Sequence, residues 1–214
     1  MNKNIERTLQ KYPLIDYATI KNILCANGYK YINDKIKYMK QEGLLTPLKK
    51  GLYVYHSPYI KTLTSKEIIA NNLLGPSYIS YEYALYYHGL IPERVEEVTS
   101  ATTKRTKAYS TSYGDFSYKH IDKSLYALGL VILSAKQGNF MMASVEKALC
   151  DKVFTTRGIK IGSKKSMLIF LEEDLRIDMD ELVDFNLSIV AEYFKISKSK
   201  RIEMLYKVLK DIVK

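Results

Sequence analysis

The sequence predicts an α+β protein: an N-terminal winged helix-turn-helix followed by a mixed α+β domain that ends in a helical bundle. Three observations lead there. Near the start, three short segments with helical apolar spacing run into a hairpin with a basic turn. Between about residues 95 and 143 the pattern changes to short strands, and from about 144 to 214 it is helical again. Ser57-Pro58 marks the change of pattern, dividing the chain into units 1–58 and 59–214.

Taken in order, Ile5, Leu9 and Tyr12 recur at helical spacing until Pro13 closes the segment. Asp16 is placed to cap a second helix with Ile20, Ile23 and Leu24 on its apolar face, and Asn27-Gly28 ends it. A third helix carries Ile32, Ile36 and Met39 and ends near Gly43. Leu45 to Leu48, the turn Lys49-Lys50-Gly51 and the run Leu52–Tyr55 form the hairpin. Beyond the boundary, Thr64–Leu74 reads as a helix stopped by Gly75-Pro76, and Ser80 as the cap of another that runs to His88. Strands are expected at Glu97–Thr103, Lys107–Thr111, Phe116–Ile121, Leu130–Ser134 and Phe140–Ala143. Gly114-Asp115 and Gln137-Gly138-Asn139 are the expected turns. Ser144 caps a helix bearing Val145, Leu149 and Val153, and Asp178 with Glu181 has the spacing of a capping box.

Charge narrows the function. The net charge is +10, and residues 1–58 hold ten Lys or Arg against four acids, so the electrostatic surplus is concentrated in the first quarter. Clustered cations attract polyanions, nucleic acid foremost. No apolar run reaches the roughly 20 residues of a membrane helix. The first residues lack the apolar stretch of a signal peptide, so a cytoplasmic protein is expected. Cys25 and Cys150 both fall in apolar helical patterns, too few for a disulfide framework.

Turning the third helix by about 100° per residue places Lys30, Asn33, Asp34, Lys37, Tyr38 and Gln41 opposite its apolar face, with Lys35 and Lys40 at the flanks. In a helix-turn-helix this helix enters the major groove of duplex DNA, where amides and ammonium groups match base-edge acceptors and phosphates. Lys49 and Lys50 at the hairpin tip are expected to grip an adjacent phosphate. The expected DNA-binding set is therefore Lys30, Asn33, Lys35, Lys37, Tyr38, Lys40, Gln41, Lys49 and Lys50.

Residues that would carry chemistry are sparse. His56, His88 and His120 have no metal-site spacing with the cysteines, and there is no phosphate loop, dinucleotide fingerprint or Gly-flanked nucleophilic serine. No catalytic residue, metal or cofactor is expected. Glu146 with Asp151 suggests a metal nuclease only weakly, since a carboxylate in a first helical turn suits the helix dipole. The run Thr99–Lys107 sets hydroxyls beside Lys104, Arg105 and Lys107, a pattern suited to phosphate as well as to a protected strand end. Nineteen tyrosines and no tryptophan, with Tyr78, Tyr81, Tyr83, Tyr86 and Tyr87 close together, point to core packing.

Several blocks, in this order, resemble one family. They are Gly43-Leu44-Leu45 leading to Lys50-Gly51-Leu52-Tyr53, then Tyr78-Ile79-Ser80-Tyr81-Glu82 through His88-Gly89-Leu90-Ile91-Pro92. Thr99-Ser100, Thr102–Thr106, Gly114–Ile121 and Ala143–Leu149 with Asp151 follow. Together they resemble the AbiEi antitoxins of type IV toxin–antitoxin, phage abortive-infection systems. The resemblance implies a transcriptional autorepressor that binds inverted repeats in its own promoter, pairing on the DNA. It further implies an antitoxin that counters a nucleotidyltransferase toxin without forming a stable complex with it. On that reading Lys104, Arg105, Lys107 and Lys119 form a surface competing for an RNA or nucleotide target, or Lys195, Lys198, Lys200, Arg201, Lys207 and Lys210 on the last helices supply a basic face instead, and the sequence does not choose between them. The alternatives are a plain regulator whose larger domain senses a ligand or dimerises, and a nucleic-acid-processing enzyme.

Overall fold

Helical spacing at the N-terminus resolves into packed helices. In the computed structural model, which describes residues 3–57 and 64–213, Ile5 and Leu9 are buried on α1 (Lys3–Leu9). Tyr12 lies past the helix end and is exposed. A short strand that the sequence reading missed, β1 (Leu14–Asp16), leads into α2 (Tyr17–Ala26). Asp16 caps α2 as expected, its carboxylate accepting from Thr19 N at 2.7 Å. Ile20 and Leu24 are buried, and Gly28, at φ +80°, takes the chain out of the helix. In α3 (Ile32–Gln41) the buried residues are Ile36 and Met39. β2 (Leu45–Lys49) and β3 (Leu52–Tyr55) complete an antiparallel sheet in the order β1-β3-β2.

The rest is mixed α+β. Along the chain come α4 (Lys66–Leu73), β4 (Ser77–Ile79), α5 (Tyr81–Tyr87), β5 (Val98–Thr102), β6 (Lys107–Thr111) and β7 (Gly114–His120). Then follow α6 (Lys123–Tyr126), β8 (Leu130–Ala135), β9 (Gly138–Ala143) and α7 (Val145–Thr155). α8 (Lys164–Ile169) runs into a π-helical turn at Phe170–Asp174, and a 3-10 turn at Met179–Leu182 precedes α9 (Leu187–Ser197) and α10 (Lys200–Ile212). The six strands lie in the order β6-β7-β5-β4-β9-β8, with β5–β7 and β4–β9 parallel and the other pairs antiparallel.

Side chains extend the short central strand β4. The Asn71 amide on α4 donates to Met141 O at 3.2 Å and accepts from Met141 N, giving β9 a partner where β4 has none. Tyr118 OH on β7 donates to Ala70 O at 2.6 Å, fixing α4 to the same sheet.

Some expectations shift. The β6–β7 turn is Ser112-Tyr113, one step before Gly114-Asp115, because the Thr111 hydroxyl closes it: Tyr113 N donates to Thr111 Oγ1 at 3.0 Å. Asp178 accepts from Asp180 N and so closes only the 3-10 turn, while the capping box belongs to Ser163 and Ser166 at the start of α8. Cys150 is buried, but Cys25 is exposed on α2.

The hairpin β2–β3 has two packed sides. Leu45 and Tyr55 face the N-terminal core with Ile5, Ile20 and Met39, whereas Leu48, Leu52 and Val54 join the large core of the second unit. Pro58 of the expected boundary lies outside the described residues. The register of β2 shifts between Pro47 and Lys49, and Lys49 turns inward, donating from Nζ to Leu73 O at 2.6 Å. Lys49 is thus a strut between the units, not the free basic tip the sequence suggested; Lys50 beside it is exposed. Lys49→Ala should lower stability to urea by about 1 kcal/mol, the worth of one such bond, and Lys50→Ala should leave the midpoint unchanged.

Candidate nucleic-acid interface

The outward side of α3 is built by its own periodicity. With Ile36 and Met39 fixed inside, Asn33, Lys37, Tyr38, Lys40 and Gln41 are all exposed, and Lys30, which the sequence reading put on the helix, is exposed in the turn ahead of it. Lys30, Lys37 and Lys40 make no ion pair among the described residues, so their charge is available. Lys35 is half-buried, its ammonium 4.3 Å from the ring centre of Tyr38 and 5.4 Å from that of Tyr29. It stiffens the face rather than reaching out from it.

Two residues on this face escaped the sequence reading. Tyr31, at the N-cap of α3, is 77% exposed. Its signal was the spacing Tyr31, Lys35, Tyr38, which stacks three side chains along one stripe of a helix. Tyr17, the first residue of α2, donates from its hydroxyl to Asn33 Oδ1 at 2.9 Å. That bond orients the amide and leaves Asn33 Nδ2 as its outward donor, suited to acceptors such as guanine O6 or purine N7.

The proposed strand-end surface does not hold together as one patch. Lys107 pairs with Tyr118 across β6–β7, so it shares the α4 side of the sheet, and its ammonium rests 4.7 Å from the ring centre of Tyr109. Lys119, one residue on from Tyr118, lies on the opposite face. Lys104 and Arg105 are exposed in the connection between β5 and β6. Of the hydroxyls expected beside them, Thr99, Ser100 and Thr102 are buried, Thr102 Oγ1 donating to Pro76 O at 2.7 Å, whereas Thr103 is half-buried and Thr106 exposed. On the last helices Lys200 and Lys207 are paired with Glu203, and Arg201 is bound to the carbonyls of Thr156 and Ile159.

Behind these surfaces lies a buried polar cluster. Asp151, fully buried on α7, receives four hydrogen bonds. Tyr78 OH (2.9 Å) and Ser80 Oγ (2.7 Å) donate to Oδ2, while Lys147 Nζ (2.7 Å) and Tyr193 OH (2.9 Å) donate to Oδ1. Lys147 is itself fully buried, its ammonium 4.6 Å from the Tyr193 ring centre and 5.3 Å from that of Tyr78. Burial, then the Asp151 charge, pushes the phenols of Tyr78 and Tyr193 well above the usual tyrosine range, so both remain donors. Because the Ser80 hydroxyl is committed to Asp151, it does not cap α5. Thr99 Oγ1 does so instead, accepting from Tyr83 N at 3.1 Å and donating to Ser80 O at 2.6 Å. Glu146 binds Ser144 Oγ and Asn186 N, so it and Asp151 serve separate networks.

Nearby, Glu82 on α5 accepts from Lys152 Nζ at 2.5 Å and lies 3.7 Å from Lys119 Nζ. Burial alone would raise its carboxyl pKa; the hydrogen bond and charge of Lys152, with the charge of Lys119, outweigh that and hold it below the usual glutamate value.

Among the described residues no three His, Cys, Asp or Glu side chains gather as metal ligands, and no helix is long and apolar enough to cross a membrane. In comparisons with known proteins, no family model matches the chain and no curated protein matches it.

Asp151→Ala should cost about 3–5 kcal/mol, because it strands a buried ammonium. The double variant Lys147→Met/Asp151→Leu should lose much less than the two single changes added together. Additive losses in urea unfolding would refute the coupling. Glu82→Gln tests the second network through pH. The wild type should hold its advantage in full above the ordinary glutamate pKa of about 4.3 and lose it as pH falls through the lower folded value. An advantage independent of pH would show that the charge of Glu82 contributes nothing.

Proposed function

We propose that residues 1–58 form a winged helix-turn-helix that binds duplex DNA, and that the protein is a transcriptional autorepressor and antitoxin of the type IV kind. The observation that carries the DNA reading is the solvent side of α3 and the turn before it, where Lys37, Lys40 and Lys30 stand exposed with no ion pair among the described residues. The element order and the β1-β3-β2 sheet support a winged-helix reading, in which α3 would enter the major groove with its N-terminal end nearest the bases. Tyr31, Lys30 and Asn33 then face base edges, Lys37 and Lys40 face phosphate, and Lys50 is the wing's remaining free cation.

The antitoxin part rests on the resemblance of the ordered blocks in the second unit. Tyr78, Ser80, Lys147 and Asp151, which belong to two of those blocks, meet in one buried cluster. The shared residues therefore maintain a scaffold, and the surface that relieves toxicity is carried on it. The partners in this reading are inverted repeats in the protein's own promoter and a nucleotidyltransferase toxin that it counters without a stable complex.

Lys37→Ala should weaken operator binding in mobility shifts by about tenfold, and each lost phosphate contact should flatten the dependence of log K on log salt by about 0.9. Lys49→Ala should leave affinity intact once the protein is folded. In co-expression with the toxin, a Lys30→Ala/Lys37→Ala variant should lose repression yet still rescue growth. Unaltered DNA binding in both α3 variants would end the DNA reading.

A further inference from the structure

A cleft opens beside the carboxyl end of β7, between the end of α7, the π-helical turn and the start of α10. Its volume, about 1010 Å³, is at the upper end of small-molecule sites, which run to about 1,000 Å³. Four permanent cations line it, Lys119, Lys152, Arg157 and Arg201, against the carboxylates Asp122 and Asp174. The Thr106 hydroxyl stands among them, while those of Thr155 and Thr156 donate to Asp151 O and Lys152 O, and Phe154, Ile159, Phe170 and Leu175 supply an apolar lining.

The cations are not equivalent. Arg201 is spent on carbonyls, Nη2 donating to Ile159 O at 2.9 Å, so it shapes the loop after α7. Lys152 is tied to Glu82 at 2.5 Å. Lys119 is ion-paired with Glu82 Oε2 at 3.7 Å, beyond hydrogen-bond distance, and its ammonium lies 4.7 Å from the Tyr81 ring centre, so it is held in place at the cleft without a hydrogen bond to Glu82. Arg157, exposed in the loop after α7, makes no ion pair among the described residues. Two positioned cations, the Thr106 hydroxyl and an apolar wall are complementary to a phosphate group joined to a planar ring.

We propose that this cleft binds a free nucleotide, with its phosphates on Lys119 and Arg157 and its base against the Phe154 and Ile159 side. Duplex DNA, whose bases are stacked away, would use the cations but not the apolar wall. The site does not depend on the DNA reading of α3, and the two are tested by different residues.

Isothermal titration of the full chain with UTP, GTP, inorganic pyrophosphate and a mixed-sequence single-stranded RNA 12-mer, at physiological salt, decides it. The expected result is saturable binding of a nucleoside triphosphate with Kd below about 1 mM, tighter than that of pyrophosphate. Arg157→Ala and Lys119→Ala should each weaken it about tenfold or more, as loss of a charge-assisted bond requires. Lys37→Ala should bind as the wild type does. Arg157 makes no hydrogen bond or ion pair among the described residues, so that variant separates ligand loss from misfolding, and circular dichroism checks it. No saturable nucleotide binding, binding unchanged in Arg157→Ala, pyrophosphate binding as tightly as UTP, or binding of the RNA alone would each overturn the proposal.

Discussion

A carboxylate removed from water is stable only if donors replace the lost hydration, and the second unit is arranged around one such group. Asp151 is fully buried, and each of its oxygens accepts two hydrogen bonds. The donors come from β4, the start of α5, α7 itself and α9, segments far apart in sequence. Lys147 balances the charge, and the faces of Tyr78 and Tyr193 shield its ammonium. Such a cluster adds less stability than an apolar core of the same size, but it tolerates few alternative packings. It settles which helix lies on which strand. Gly129 fits this constraint: at φ +61°, a Cβ there would stand 2.9 Å from Lys147 Cβ.

The same committed geometry passes to the N-terminal unit through the hairpin. With Leu48, Leu52 and Val54 packed into the large core and Lys49 bonded to Leu73 O, β2 and β3 belong to both units. Tyr17 N donates to Gly51 O at 2.8 Å, so the hairpin turn also holds the start of α2. The α2–α3 pair is thereby oriented by the second unit as well as by its own core, and α3 is presented as part of a larger body rather than on a loose arm.

Much of this was legible in the sequence where local rules decide the outcome. The apolar spacing of Ile36 and Met39 gave the outward face of α3, and Asp16 and Ser144 cap helices as their positions suggest. Local rules failed where a side chain was claimed by a distant partner. Ser80 sits at the N-cap of α5, but its hydroxyl belongs to Asp151, 71 residues away, and Thr99 caps in its place. Lys49 reads as a turn lysine until Leu73 is placed beside it. β1 and β4, at three residues each, are too short for any alternating pattern to show. The strand-end cations looked contiguous because sequence distance hides the pleat, which puts Lys107 and Lys119 on opposite faces.

Net charge therefore says less than its allocation. Lys49, Lys147, Lys152 and Arg201 are engaged with internal partners, and their loss would be felt first as stability. Cations without such a partner include Lys30, Lys37 and Lys40 at α3 and, in the cleft at the end of β7, Arg157, which stands beside the ion-paired Lys119. Solvated ammonium groups are stable anywhere on a surface, so exposure alone singles out no function. What distinguishes these two places is the company the cations keep. On α3 they stand on a convex helix beside Tyr31 and Asn33, a shape that can enter a groove. In the cleft they line a concavity with the Thr106 hydroxyl and an apolar wall, a shape that can surround a small ligand. Opposite curvature under the same sign of charge is the physical reason to assign the two sites different anions.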